Sequence, residues 1–312
     1  MKLGVVILNW NGMEVTPKCL DSLYKGTQAP DEIVVVDNAS TDHSGEFIRT
    51  SFPDAAYIQN NENLGFSGGC NVGIRHLLDR DFDLILLLNN DALVDPNCIG
   101  VLLDTARKYP AAAYGATIYE VANPNAVWYG GGKLNTKTLE ATHLLAPDSH
   151  GPEPTDFITG CCLMMNAATV RRIGLLDEGF FAYYEDLDWC LRARQAGERL
   201  IYVPDAVVHH DVSHSFRHVG NRQKNKTSRS WAQKRPLVMY LSYRNRLLLA
   251  RKHACNGLHL GFLAGRIGLR GVLHTLLLTL VGEMDRAKAV LRGLSAGLFT
   301  PGAPADIERY LR

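Results

Sequence analysis

The sequence predicts an α/β protein: a mostly parallel central sheet flanked by helices, followed by a C-terminal helical extension. Three observations predict it. Short apolar runs alternate with helical segments through the first 90 residues, the pattern of strands buried on both faces of a parallel sheet. Three of these runs end in polar side chains, at Asn9, at Asp37 and at Asn89-Asn90-Asp91, and ligands of such sheets lie beyond the carboxyl ends of the strands. Charge is sharply divided. Residues 1–211 carry 15 Lys/Arg against 28 Asp/Glu, a net of −13, whereas 212–282 carry 13 Lys/Arg and no acid. That break marks a boundary near 212.

The elements follow in order. Leu3–Leu8 is an apolar run closed by the turn signature Asn9-Trp10-Asn11-Gly12, and 15–24 place Val15, Cys19, Leu20 and Leu23 at helical spacing. Glu32–Val36 is a second buried strand, 44–50 a short helix, Ala55–Ile58 a third strand and Gly68–Leu78 a helix. Asp83–Leu88 is a fourth strand, apolar after its first residue. Between 110 and 165 the pattern is less regular, with β-rich pieces at 126–132 and 156–165 around a Pro/Gly/His loop at 143–154. A helix is expected from Glu185 to about Ala196, then strands at Arg199–Val203 and Ala206–His209. Residues 216–236 read as a basic loop and 237–298 as helical.

With 46% hydrophobic and 21% charged residues over 312 positions, the chain can bury a full core and is no candidate for disorder. Its seven cysteines include no C-x-x-C pair, so a disulfide framework or zinc ribbon is not expected and a reducing compartment is. The first residues run directly into a strand pattern and do not resemble a signal peptide. No run of 18 uncharged apolar residues occurs; the nearest, Gly271–Gly282, is too short to span a bilayer. A cytoplasmic protein is expected. Nucleic acid is a poor partner for so acidic a body.

Several constellations can carry chemistry. Asp91, at the tip of a buried strand, can offer oxygen to a hard cation that offsets diphosphate charge; an ordinary strand-end turn is the competing reading. Asp37 can accept from a base or ribose, with Ser40 or Asp42 capping the next helix. Gly65, Gly68 and Gly69 precede or open a helix and permit close backbone approach to a phosphate, although the segment is neither G-x-G-x-x-G nor a P-loop. Glu185, Asp186 and Asp188 open a helix behind two aromatic pairs. Acids there are ordinarily caps, but a partly desolvated carboxylate can serve as general base. His209 and His210 follow a strand, where an imidazole is suited to Mn²⁺ more than to Mg²⁺.

Together the stretches V-V-I-L-N-W-N-G at 5–12, V-V-V-D-N-A-S-T-D at 34–42, N-E-N-L-G-F-S-G-G-C-N-V-G at 61–73, L-L-N-N-D-A at 87–92 and F-F-A-Y-Y-E-D-L-D-W-C-L-R at 180–192 resemble the family-2 glycosyltransferases of the GT-A fold. Within them they resemble the bacterial rhamnosyltransferase-like branch. The resemblance implies a Rossmann-like GT-A domain over 1–215, with nucleotide-sugar binding in 1–120 and the acceptor and base region in 121–215, then the loop 216–236 and the extension 237–312. It implies that Asp37 meets the nucleobase, and that Asn9, Asn11, Asn38, Asn63, Gly65, Asn71, Asn90 and Asp91 line the nucleotide-sugar site. Asp91 matches the last acid of the family's D-x-D motif, whose first acid is here Asn89, one charge fewer for a divalent Mn²⁺ or Mg²⁺. His210, with His209 as the alternate, matches the later metal-binding histidine. Asp186, beside Glu185, matches the catalytic base, and Tyr184, Asp188 and Trp189 are expected at the acceptor cleft. The implied activity is inverting transfer of a sugar, dTDP-rhamnose being the first donor to try and UDP-sugars the next, onto a polysaccharide or lipid-linked hydroxyl.

Tyr240-Leu-Ser-Tyr243-Arg244-Asn245-Arg246 is also similar to that branch. Physically, 212–282 is basic throughout and apolar in its helical part, which suits an anionic membrane surface and a peripheral position on the inner face of the plasma membrane. Packing of this segment on the acidic body is the alternative, and a homodimer is left open. Two other functions compete. A sugar-nucleotide nucleotidyltransferase needs a Gly-rich loop with Arg and Lys after the first strand, which Asn9-Trp10-Asn11-Gly12 lacks. A non-catalytic nucleotide-sugar-binding protein has no need of Asp91, Glu185 and Asp186.

Overall fold

A computed structural model describes residues 1–145, 151–211, 236–299 and 307. The strands are β1 (Leu3–Asn9), β2 (Glu32–Asp37), β3 (Ala56–Gln59), β4 (Leu84–Asn89), β5 (Ala92–Val94), β6 (Ala113–Glu120), β7 (Asn123–Tyr129), β8 (Gly132–Asn135), β9 (Glu140–His143), β10 (Glu153–Pro154), β11 (Cys162–Asn166) and β12 (Leu200–His210). The helices are α1 (Thr16–Tyr24), α2 (Ser44–Ser51), α3 (Gly65–Leu78), α4 (Cys98–Lys108), α5 (Ala167–Ile173), α6 (Glu185–Gln195), α7 (Pro236–His253), α8 (Gly257–Leu280) and α9 (Met284–Phe299). The basic segment 216–235 lies outside the described residues.

The described residues fall into two compact units. The first lies within Met1–Asn135, Glu140–Glu178 and Glu185–Ser215, the second within Thr136–Leu139, Gly179–Tyr184 and Phe216–Arg312. The second thus takes up two short segments that no sequence pattern assigns to it.

The first unit is built on a ten-stranded sheet of order β10-β12-β6-β11-β4-β1-β2-β3, with β5 on β12 and β7 on β6. The pairs among β3, β2, β1 and β4 are all parallel, as the alternation of apolar runs and helices requires. Beyond β4 the sheet is mixed: β11 runs antiparallel to β4 and β6, while β12 is parallel to β6. An apolar run buries equally well in either direction, so periodicity does not reveal this turn of the topology. Val5, Val6, Ile7, Val34, Val35 and Leu84–Leu88 are nearly or fully buried, each such side chain worth about 1.5–3 kcal/mol of burial. Helix α3 lies close against them because it is glycine-rich. A Cβ on Gly69 would meet Leu8, and one on Gly73 would meet Val6 and Val36.

Two expected strands at 199–209 are one. Pro204 removes a donor from the ladder, yet β12 continues past it with its register shifted between Val203 and Val207. The hydroxyl of Thr117 donates to the Pro204 carbonyl at 2.8 Å and helps secure the bulge.

In the second unit α7, α8 and α9 bury Met239, Tyr240, Leu241, Tyr243, Leu247, Val290, Leu294 and, further on, Ile307. A Cβ at Gly293 of α9 would strike the Tyr240 backbone of α7, so the two helices pack at backbone contact. The same unit contains 179–184, a strap held by α7. Arg244 donates to the Gly179 carbonyl at 2.8 Å, and Asn245 donates to those of Phe180, Ala182 and Tyr183 at 3.0, 2.8 and 2.9 Å. Helix α8 takes in the short uncharged run at 271–282 only in part and reaches further back. At 24 residues and a mean hydropathy of 1.2 it meets the requirement of length and composition, because it extends the short uncharged run through Arg266 and Arg270.

Candidate active site

The tips of β1 and β2 are tied together by a buried polar network. Asn9 Nδ2 donates to Asp37 Oδ1 at 2.7 Å and lies within hydrogen-bond distance of Ser40 and Ser44, and Asn9 Oδ1 accepts from Thr16 at 2.7 Å. Asp37 also accepts from the Ser40 hydroxyl and amide and, at 2.6 Å, from Gln59 Nε2. All four lone-pair directions of Asp37 are therefore used within the protein. It is 1% exposed and Asn9 fully buried, so in this arrangement they shape the site from beneath. A nucleobase would reach the Asp37 carboxylate only by replacing one of its present donors.

Asn38 does the same for the glycine loop. Its Nδ2 donates to Asn63 Oδ1 and the Gly65 carbonyl, and its Oδ1 accepts from Asn60 and the Leu64 amide. Gly65 follows with φ +73, a left-handed turn that opens α3 and favours glycine. Asn11, at φ +52, accepts from the Thr41 amide at 2.7 Å and pins the β1 turn to the β2 turn. Asn71 is engaged on the other side of α3. Its amide bonds Leu176 and Glu178, with both donor and acceptor engaged at 1% exposure. It secures α3 to the chain ahead of α6.

At the tip of β4, Asp91 Oδ1 lies 3.0 Å from His210 Nε2, both side chains 5% exposed. Asn89 Nδ2 is 3.4 Å from the same nitrogen, whereas Asn90 turns away to donate to Thr16 at 2.9 Å. The pairing of β12 with β5 selects the histidine. His210 sits opposite Ala92, while His209, on the other face, stacks on Tyr119. Burial, with the Asp91 charge as second cause, drives the Cys19 and Cys161 thiols far up, so both stay neutral.

An oxygen and an imidazole nitrogen facing each other are a donor set suited to Mn²⁺ or a similar divalent ion. Among the described residues no cluster of three or more His, Cys, Asp or Glu forms a metal site. An ion held by these two side chains would draw its further ligands from diphosphate and water.

Glu185 and Asp186 open α6. Glu185 is 5% exposed, and burial, reinforced by Asp186, holds its carboxyl well above the usual range. Asp186 is also raised by burial, although the amides of Gly160 and Leu187 bond it at 2.8 and 2.7 Å and favour its ionised form. The competition between helix terminus and burial that sequence left open is thus won by burial for both. The neighbouring positions are engaged within the protein. Asp188 is fully buried and paired with Arg192 at 2.9 Å, and that arginine also donates to the carbonyls of Ile173 and Leu175. Trp189 is a core residue whose indole donates to the Gly174 carbonyl at 3.0 Å. Helical spacing turns both inward. Tyr184, at φ +75, receives the Arg246 guanidinium on its hydroxyl at 2.7 Å.

Two residues without a sequence signal join these groups. Trp128 of β7 makes edge contacts with His210 at 5.1 Å and with His143 at 4.6 Å. Burial lowers the His143 pKa, and its charge acts in turn on Asp186. Trp128 thus links the Asp91–His210 pair to His143, whose electrostatic influence reaches Asp186. Among the described residues, Ser67 Oγ, Glu185 Oε2 and His210 Nδ1 are buried without a hydrogen-bond partner. Each costs about 1–3 kcal/mol unless something bonds it, and all three lie on segments the motifs mark.

Residues 4–174 match the family described as glycosyl transferase family 2. The low-salt glycan biosynthesis hexosyltransferase Agl10 of Haloferax volcanii is 30% identical over 203 residues, covering 62% of this chain and 62% of its own length. The N-acetylglucosaminyl-diphospho-decaprenol L-rhamnosyltransferase of Mycobacterium tuberculosis is 26% identical over 239 residues, 68% of this chain and 77% of that one. Among solved structures, the mannosyltransferase PcManGT from Pyrobaculum calidifontis, in complex with GDP-Man and Mn²⁺, superimposes with TM-score 0.57 at 14% identity, covering 96% of this chain and 87% of that one. GalNAc-T7 with UDP, GalNAc and Mn²⁺ gives TM-score 0.57 at 19% identity, over 67% of this chain and 44% of its own. These likenesses show the fold, which is GT-A.

Proposed function

The chain belongs to glycosyl transferase family 2, and from that premise we propose that it moves a sugar from a nucleotide-diphosphate donor to a hydroxyl of a polysaccharide or lipid-linked acceptor. The observation that carries the reading is the Asp91–His210 pair, linked through Trp128 to His143, together with the raised carboxyl of Asp186, on which His143 acts electrostatically. The pair suits a diphosphate-bound cation, Asp186 the role of proton acceptor.

In this mechanism Asp186 takes the proton of the acceptor hydroxyl. The freed oxygen bonds the anomeric carbon from the side opposite the diphosphate, whose bond to that carbon breaks, so the configuration inverts. Asp91 and His210 would hold Mn²⁺ or Mg²⁺, which when bound would offset the charge gathering on the leaving diphosphate. The Gly160 and Leu187 amides keep Asp186 oriented, and burial keeps it basic enough to act. The rhamnosyltransferase activity in the name of the mycobacterial relative supports dTDP-rhamnose as the first donor to try, and its decaprenol acceptor supports a lipid-linked one.

The test is product formation from a panel of radiolabelled dTDP-, UDP- and GDP-sugars with Mn²⁺. Asp186→Asn should abolish transfer while calorimetry still detects the donor. Near-normal turnover by Asp186→Asn would remove the base assignment, and nucleotide exchange without sugar transfer would favour a nucleotidyltransferase. Donor binding with no product from any acceptor would leave a nucleotide-sugar-binding protein.

A further inference from the structure

Helix α8 has two faces. The inner one buries Leu263, Gly271 and Leu278, and His274 Nδ1 lies 2.9 Å from the Tyr243 hydroxyl of α7. The outer one exposes Leu258, Phe262, Leu269, Leu273, Leu276 and Leu280, from 54% for Phe262 to 89% for Leu258. Positions 269, 273, 276 and 280 recur at intervals of four, three and four, so they form one stripe on the cylinder. A contiguous apolar stripe of this length marks a contact surface.

The charges around it choose the occupant. From 212 to 282 the chain has 13 Lys/Arg and no acid, with Arg266 and Arg270 on α8 itself. A second copy would bring the same cations and no carboxylate of this segment to meet them. An anionic bilayer supplies both the apolar phase and the opposite charge. Length and composition would allow α8 to cross the membrane. However, Arg266 and Arg270 would then sit near the bilayer centre, where arginine is penalised, and the inner face is already packed within its own unit. We infer that α8 lies in the plane of an anionic membrane surface, its outer stripe at the headgroup–acyl boundary and its arginines among lipid phosphates. This places the protein peripherally on a membrane. It does not rest on the glycosyl-transfer reading, because its readout is lipid binding, which a chain inactive on every sugar would still show or lack.

The test uses the full chain in cosedimentation with phosphatidylcholine vesicles with and without phosphatidylglycerol. Wild type should bind the anionic vesicles about tenfold more tightly, and salt should erase that gain. Leu269→Asp/Leu273→Asp/Leu276→Asp should lose at least about tenfold on both vesicles. Arg266→Gln/Arg270→Gln should lose only the anionic preference. Phe262→Trp, a conservative change on the exposed face, reports insertion without a disruptive variant: brominated acyl chains should quench its added fluorescence. Wild type that ignores anionic vesicles, a triple variant that binds as wild type, or an unquenched Trp at 262 overturns the proposal. A wild-type dimer in light scattering that the triple variant converts to monomer would assign the stripe to a second copy and overturn it equally.

Discussion

Asn245→Ala removes the side chain that holds the strap ahead of Glu185. Asn245 is fully buried, and its two N–H groups are shared among the carbonyls of Phe180, Ala182 and Tyr183. Losing two bonds' worth of donor leaves buried carbonyls unpaired, at about 1–3 kcal/mol each. The strap in turn holds Phe181, Tyr183 and Tyr184 at φ +63, +70 and +75, a left-handed conformation that costs non-glycine residues about 1–2 kcal/mol apiece. Once unclamped it can relax and recover part of that strain. The expected net loss is therefore about 2–3 kcal/mol rather than the full sum of the broken bonds. Urea denaturation of wild type and variant measures it. Because Tyr184 is followed directly by Glu185, kcat should fall while the KM for donor holds. Asn245→Asp keeps the volume but has no donor, so it should do no better than alanine. A loss under about 0.5 kcal/mol, or Asn245→Asp at wild-type stability, would refute the clamp.

Other outcomes follow from the site. Asp91→Ala should weaken Mn²⁺-dependent donor binding in calorimetry by more than tenfold, about the loss a supporting residue alone produces, and by more than Asn89→Ala or Asn90→Ala, since only Asp91 brings charge to that tip. Burial raises the Asp186 pKa, so the acid limb of kcat/KM should lie above the ordinary carboxylate range, with activity lost as pH falls through it. Glu185 is raised well above 4.5 by burial and by Asp186. The folded state therefore holds its proton more tightly than the unfolded state, and stability declines as pH rises from the unfolded value through the folded one. Glu185→Gln should accordingly be more stable than wild type at pH 8 and lose that advantage near pH 4, read by thermal melting. Trp128→Ala should lower transfer by freeing both imidazoles, and an unchanged pH profile and rate would separate Trp128 from the site.

Sequence alone determined the parallel half of the sheet, the polar strand tips, the glycine-rich entry to α3 and the acidic start of α6. These are local facts: an apolar run buries, its polar end lies at the sheet's edge, and helical spacing carries forward from Glu185. Tertiary structure decided the rest. The antiparallel insertion of β11 leaves no mark on hydrophobic periodicity. Asp188 and Trp189 sit in the same acidic motif as Asp186, but only the packing of α6 shows that they turn inward, and Asn9, Asn71 and Asp37 are chemically able to bind a ligand yet are each engaged by at least one neighbour 22 or more residues away. Trp128 and His143 stand in segments with no motif of their own, and Asn245, although inside the stretch 240–246 that resembles the family branch, carries no sequence sign of the strap it holds. The choice between His209 and His210 is the plainest case. Side chains alternate faces along a strand, so a register shift of one residue would exchange the two. The pairing of His210 with Ala92, set by a strand more than a hundred residues earlier, turns one imidazole toward Asp91 and the other onto Tyr119.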